Sequence, residues 1–306
     1  MLIAGTIGIA LDSVFGDPVR MPHLVRLVGW IIGRLEKLLA NTIGRTVFSG
    51  FMLWFLVVGM FFFAYWFLAM TLLAWNPWLK VSFDALVVFQ CIAFKDLVKH
   101  VRAVRTALCS SVEEGRAQVS QIVGRDTDRM DEGDVCRAAI ESGAENLNDA
   151  VIAPLFWYAL LGPVGILVFR ISNTLDAMVG HRTERFELIG KVSARIDDIL
   201  NFIPARLCSV FVLRVRDVFQ VFSLRSDARK HPSINAGWPE AAMSRRLGVV
   251  IGGRMYAKGE LVETAEMNEG ARQPKPDDIE RSTAIMREAY LKGIVLVALW
   301  FFAVGF

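Results

Sequence analysis

The stretch VFSGFMLWFLVVGMFFFAYWFLAMTLLAW, Val47 to Trp75, runs for nearly thirty residues without a charge. About 20 apolar residues in a helix cross the ~30 Å hydrocarbon core of a bilayer. The stretch is far too long for a strand, and no alternating apolar-polar run long enough for a barrel strand stands out in the chain. Read as a span, it sets the fold class: mainly α, a polytopic membrane protein with helical spans. Asn76-Pro77-Trp78 reads as a turn with an interfacial aromatic, and about 79–95 continues as a second, returning span that contains Asp84. A further span is expected at about 290–306. The segment 150–169 is also uncharged, but Pro154, Gly162, Pro163 and Gly165 interrupt it. Helix-breaking residues are tolerated at membrane depth where the backbone is buried in protein. A re-entrant hairpin is therefore expected at 150–169 in preference to a straight span. A short β element is expected near Leu247 to Ile251.

Composition agrees with a bilayer setting. Hydrophobic residues make up 54% and charged residues 21%, below the roughly 25% usual for soluble chains. A net charge of +3 is too small to suggest nucleic acid as a partner. Cys91, Cys109, Cys136 and Cys208 are scattered, with neither a CxxC pair nor a histidine at ligand spacing, so they read as buried thiols, neither disulfides nor a zinc site. Met1–Ala10 lacks a basic n-region, and no cleavable signal is expected. Lys and Arg orient the chain. Arg20, Arg26, Arg34, Lys37 and Arg45 precede the long span, and Lys95, Lys99, Arg102 and Arg105 follow the hairpin. Both groups belong on the cytoplasmic side, with the 76–80 turn outside. The polar region of about 182–290 then forms a cytoplasmic layer, and residues 1–306 form one integrated domain.

Polar residues concentrate in four places. These are Gly124-Arg125-Asp126-Thr127; Glu141 to Asn146 with Asn148-Asp149; Asn173 to Arg182; and Arg195 to Arg206. On a helix, 141, 145, 148 and 149 would share a face, as would 173, 176 and 180. One such cluster alone reads better as salt bridging, Glu141 and Glu145 with Arg137 or Asp197 and Asp198 with Arg195 and Arg206. Four clusters beside apolar segments ask for more, since an ionisable group in a span costs several kcal/mol unless paired or hydrated. Carboxylates hold hard cations through oxygen, and arginine clamps phosphoryl oxygens bidentately. The residues alone therefore point to a membrane enzyme that handles phosphates with a divalent ion. No GxxxxGK[ST], GxSxG or HExxH sequence occurs, which excludes a P-loop and leaves the other two reaction classes unsupported. A membrane phosphotransferase or prenyltransferase with an Asp-bound Mg-diphosphate remains an alternative. So do a non-catalytic sensor on the same scaffold and a transporter.

The runs GRDT (124–127), ESGAENLNDAVIAPLF (141–156), NTLDAMVGHR (173–182), ARIDDILNFIPARL (194–207) and NAGWPEAAMSRRLGVVIGG (235–253) occur in this order. Together with the opening LDSVFGDPVRMPHLVRLVGWII (11–32), they resemble the adenosylcobinamide-phosphate synthases of cobalamin biosynthesis, the CbiB/CobD type. The resemblance spans nearly the whole chain. It implies a multi-pass enzyme of the cell inner membrane with its active site facing the cytoplasm. Such an acid-amine ligase joins adenosylcobyric acid, a corrinoid, to an aminopropanol phosphate with ATP and Mg²⁺. Lipid is then its surroundings, and a homo-oligomer is compatible with it.

Roles follow on that premise. ATP would turn the poorly acylating carboxylate into an acyl phosphate for the amine to attack. Mg²⁺ would sit among Glu141, Glu145, Asp176, Asp197 and Asp198. Arg125, Arg182, Arg195 and Arg206 would hold phosphates, and Asn146, Asn173 and Asn201 would orient carbonyl or ribose groups. His181 is included as a polar substrate contact. Catalytic work would fall to Asp126, Glu141, Glu145 and Asp176, with Asp126 or Glu145 as the general base. Trp157 and Trp238 are candidates for an apolar surface under the corrin ring, although packing roles explain both as well.

Overall fold

The computed structural model describes residues 1–17, 23–181, 183–214, 219, 221–257 and 259–305. Arg182 and much of the opening motif lie outside the described residues. The chain divides into two compact units, one of Met1–Lys95, Ala153–Asn201 and Leu296–Phe306, the other of Asp96–Ile152 and Phe202–Val295.

The first unit is helical. It opens with α1 (Leu2–Phe15), α2 (Leu24–Thr42), α3 (Val47–Trp75) and α4 (Pro77–Cys91). The expected span 47–75 is α3 residue for residue, begun by a Thr46–Ser49 capping box. The 76–78 turn shrinks to a shared cap. The Asn76 side chain accepts from Trp78 N at 2.8 Å, and Pro77 occupies the first turn of α4, where a missing N–H costs nothing. The 15 residues of α4 rise about 22 Å, less than a bilayer core. Its buried Asp84 is paired: the Tyr65 hydroxyl donates to one oxygen at 2.8 Å and Lys80 Nζ to the other at 2.5 Å. Helix α1 lies against α4 closely enough that a Cβ on Gly8 would come within 2.7 Å of the Ala85 carbonyl oxygen.

Helix α8 (Ala153–Val179) carries the break read from its Pro and Gly residues. Gly162 has φ 62° and ψ −150°, and Pro163 follows, so two helical pieces meet at an angle there. Helix α9 (Lys191–Val212) comes next, and its N-terminal part belongs to the same unit. Trp54 Nε1 on α3 donates to Ser172 Oγ on α8 at 3.1 Å, and Trp157 Nε1 donates to the Leu200 carbonyl at 3.1 Å. Among the described residues two helices are long and apolar enough to cross a membrane, Val47–Trp75 and the composite Glu132–Val179. Only 28% of the most apolar window of α3 is covered by the rest of the chain. Phe55, Phe63, Trp66 and Phe67 are among its bare side chains.

The second unit contains α5 (Phe94–Leu108, from Asp96 on), α6 (Val112–Val119), α7 (Glu132–Leu147), α10 (Val221–Ala228), α11 (Gly237–Leu247) and most of α12 (Pro276–Val304). Helix α7 is its core: Val135, Cys136, Ala138, Ala139 and Ile140 are fully buried. Of the four thiols expected to be buried, Cys109 is exposed, because it lies just past the end of α5. A capping box of Asp131 and Asp134 starts it, and a π-helical turn, Asn148–Ile152, ends it. The β element falls slightly later than expected, as the antiparallel hairpin β1 (Arg254–Ala257) and β2 (Glu260–Glu263). Val249 and Ile251 make isolated bridges to Arg272 and Met267. Helix α12 begins well before the apolar residues that announced it.

Candidate functional site

Each unit gathers one set of the expected residues. In the first unit α8 supplies Asn173 and Asp176, and α9 supplies Asp197, Asp198 and Asn201. Asn173 Nδ2 donates to Asp197 Oδ1 at 3.2 Å, and Asn201 Nδ2 donates to Asp197 Oδ2 at 2.9 Å. Two amides from different helices thus hold one buried carboxylate in a fixed orientation. Asp197, Asp198 and His181 are the electrostatic neighbours of Asp176. Arg195 lies one turn before Asp198, 3.6 Å away, and is largely exposed. Gly180 ends α8, and its N–H donates to the Asp176 carbonyl at 2.7 Å.

In the second unit Glu141 is the centre. Its Oε2 is ion-paired with Arg125, and its Oε1 accepts from the Gly252 N–H at 2.7 Å. Arg137 Nη1 donates to the Gly252 carbonyl at 2.9 Å, so both polar atoms of that peptide turn are tied to α7. Gly252 and Gly253 have φ of 78° and 84°, a left-handed backbone that glycine adopts without strain. Asp126 serves the hairpin: the Gly259 N–H donates to its carboxylate at 2.6 Å. Glu145 borders the same cavity as Glu141 but differs from it in burial. It is exposed where Glu141 is buried, and the π-turn from Asn148 shifts the register of Asn148 and Asp149 away from a continuous α-helical face. Asn146 is turned to its own helix, donating to the Ser142 carbonyl at 2.9 Å. Arg206 donates to Asn235 Oδ1 at 2.7 Å and to the Ile234 carbonyl at 3.0 Å, and it stacks on Trp238. Burial lowers its guanidinium below the ordinary value.

Two neighbours of Glu141 escaped the sequence reading. Glu240, in the first turn of α11, and His231 line the same cavity as Glu141 and Glu145, about 280 Å³ in volume. Burial, reinforced by the charges of Glu141 and Glu145, pushes the Glu240 carboxyl well above the usual range. Burial lowers His231. The one available signal was the motif 235–253 itself, where Glu240 is the lone acid in a run of small and apolar residues. A larger recess of about 680 Å³ also borders Arg125, with Arg129, Arg137, Arg254 and Tyr256 in its lining. Among the described residues no three His, Cys, Asp or Glu side chains converge closely enough to hold a metal ion unaided.

The sequence model of the CobD/Cbib protein family matches residues 5–286. The chain belongs to the CobD/Cbib family. The "Cobalamin biosynthesis protein CobD" of Rhodobacter capsulatus is 38% identical over 305 residues, covering 95% of this chain and 94% of its own. Its namesake from Listeria monocytogenes (serovar 1/2a) is 34% identical, covering 97% and 98%. That from Clostridium perfringens (strain 13 / Type A) is 31% identical, covering 95% of both. No solved structure matches. In this CobD/Cbib chain every site residue described above falls inside the interval matched to the family.

Proposed function

We propose that the chain acts in cobalamin biosynthesis as an ATP- and Mg²⁺-dependent ligase. It joins the free carboxyl of adenosylcobyric acid to the amine of an aminopropanol phosphate, and the product is adenosylcobinamide phosphate. Family membership over nearly the full length, with relatives named for cobalamin biosynthesis, is the observation that carries this reading. The acid and arginine groups are its chemical support. We place the enzyme in the inner membrane as a multi-pass protein with its site on the cytoplasmic side, on the strength of α3, the broken α8 and the Lys/Arg distribution.

Mg²⁺ usually takes one or two carboxylates and completes its shell with phosphate oxygens and water. Asp176 and Asp198 suit that need, since their neighbour Asp197 is already oriented by two asparagines. Glu141 suits it less, with both oxygens engaged by Arg125 and Gly252. When bound, the ion would neutralise charge on the phosphates of the nucleotide. Arg125 and Arg195 are our candidates to bind phosphoryl oxygens. Arg206 is fastened within its own unit and serves better as a support for Trp238.

The test is turnover by the full-length protein in nanodiscs, given adenosylcobyric acid, aminopropanol phosphate, ATP and Mg²⁺. Amide product should form in step with nucleotide hydrolysis. Asp176→Asn combined with Asp198→Asn should lower the rate at least about a hundredfold, the scale on which an electrostatic contact to the transition state acts. A folded protein that binds corrinoid but makes no amide would overturn the ligase reading. Full activity in the double variant would keep the ligase and remove this metal site.

A further inference from the structure

Three carboxyl groups, from Glu141, Glu145 and Glu240, face the 280 Å³ cavity of the second unit. Like charges around one space need cations, and two of the three have an evident means of support. Glu141 has Arg125 and the Gly252 N–H, and Glu145 is exposed to water. Glu240 has neither. It is 4% exposed, and among the described residues it accepts no hydrogen bond; the nearest basic atom is His231 Nε2 at 3.8 Å. His231 is a poor source of positive charge, because burial disfavours its protonated form. Its Nδ1 accepts the Ser233 N–H at 3.0 Å, so the neutral ring carries its hydrogen on Nε2, the side of Glu240. A buried carboxyl that lines a cavity without a hydrogen-bond donor is costly to ionise until a donor arrives. The carboxyls do not converge as metal ligands. An ammonium group has three donors in a compact head and needs only one or two acceptors in hydrogen-bond reach.

We propose that this cavity binds a primary amine as its ammonium, and that Glu240 receives the proton the amine must lose. The proposal rests on the amide-forming reading given above. The entering ammonium supplies the missing partner, and Glu240 ionises with its proton passing to water. An N–H bond of the ammonium then breaks, the proton moves to a Glu240 oxygen, and the electron pair stays on nitrogen. That pair forms the C–N bond as phosphate leaves the activated carboxyl, and the second proton the nitrogen must shed departs on the phosphate oxygen as hydrogen phosphate. Glu141, Glu145, Arg125, Lys230 and His231 are the charged and titratable groups that surround Glu240 during the exchange.

Calorimetry on the full chain in nanodiscs tests binding with two probes, ethanolamine phosphate and ethyl phosphate, which share an anion and differ in the amine. The wild type should prefer the amine at least about tenfold. Glu240→Gln should collapse that preference to about twofold while leaving ethyl phosphate binding unchanged. Glu240→Asp, which keeps the charge on a shorter arm, should fall between and serves if the Gln variant does not fold. A wild type indifferent to the amine, or variants that keep the full preference, would overturn the proposal. In the turnover assay Glu240→Gln should be slower by a hundredfold or more at neutral pH, the scale of general base catalysis, and should recover as rising pH frees the amine. A Gln variant as fast as wild type would sink Glu240 as proton acceptor and leave the ligase standing. Amine selectivity without amide formation would do the reverse: the binding site would stand and the ligase reading would fall.

Discussion

At Gly180 a single hydrogen in place of a side chain decides where Asp176 can lie. A Cβ built there would come within 1.9 Å of Asp176 Oδ1 and 2.7 Å of its carbonyl oxygen. Gly180→Ala should therefore swing the carboxylate away from its place beside Asp197 and Asp198. Groups that orient a metal ligand typically matter by about 10–100-fold in metal affinity or activity. We expect the Mg²⁺ concentration for half-maximal turnover to rise at least about tenfold in this variant, read from a Mg²⁺ titration of the rate. An unchanged titration would separate Asp176 from the metal. The spacing of Asn173, Asp176 and Gly180 was legible as one helical face. That Gly180 serves as room for Asp176, and that Asn173 reaches across to Asp197, was not. Both depend on which rotamers packing selects.

Among the elements, α12 shows how a helix can start outside the pattern that reveals it. Its apolar end, near 290–306, is plain in the sequence, but its first turns are polar and are anchored by Asp278. This carboxylate is 3% exposed and receives Arg272 through both oxygens at 2.6 and 2.7 Å, Arg281 at 2.7 Å and the Lys275 N–H at 2.9 Å. The Arg272 hydrogen bonds, with the Lys275 N–H and the charge of Arg281, hold it below the usual carboxylate range. Because its folded value is depressed, the stability it contributes is present above the ordinary carboxylate range near pH 4 and is lost as pH falls through the folded value. Asp278→Asn should cost about 3 kcal/mol at pH 7, as expected when one partner of a buried ion cluster is removed. Thermal melts of the two proteins in detergent should differ by several degrees at pH 7 and converge as the pH falls through the depressed carboxylate value. A constant gap across that range would show that shape, not charge, holds the turn. The π-turn at Asn148–Ile152 is the counter-case. Nothing in the spacing of Glu141, Glu145, Asn148 and Asp149 announced it, because the same residues satisfy an unbroken α-helix.

Over the whole molecule, α3 exposes aromatic rings that water would reject. A bare phenylalanine forgoes about 2 kcal/mol relative to an apolar environment. Phe55, Phe63, Trp66 and Phe67 are only part of that surface. Alkaline carbonate washing of membranes that carry the protein should therefore leave it in the pellet. Release into the supernatant would remove the membrane placement, and with it the cytoplasmic orientation argued from the lysines and arginines.

By itself the sequence determined the helical class, the bounds of α3, the break in α8 and the family. Each of these is a local or cumulative signal: an uncharged run, a Gly-Pro pair, five long motifs in order. Only the tertiary structure decided the surroundings of each acid. Glu141 and Glu145 look alike in the sequence, yet one is buried against Arg125 and the other is exposed. Glu240 is only the lone acid of the run 235–253 in the sequence, and it is the packing of α11 in the second unit that leaves it buried without a hydrogen-bond donor among the described residues. The reason is physical: a carboxylate's chemistry is set by the donors and the solvent around it, and those come in part from residues far off in the chain, as Gly252 is 111 positions from Glu141.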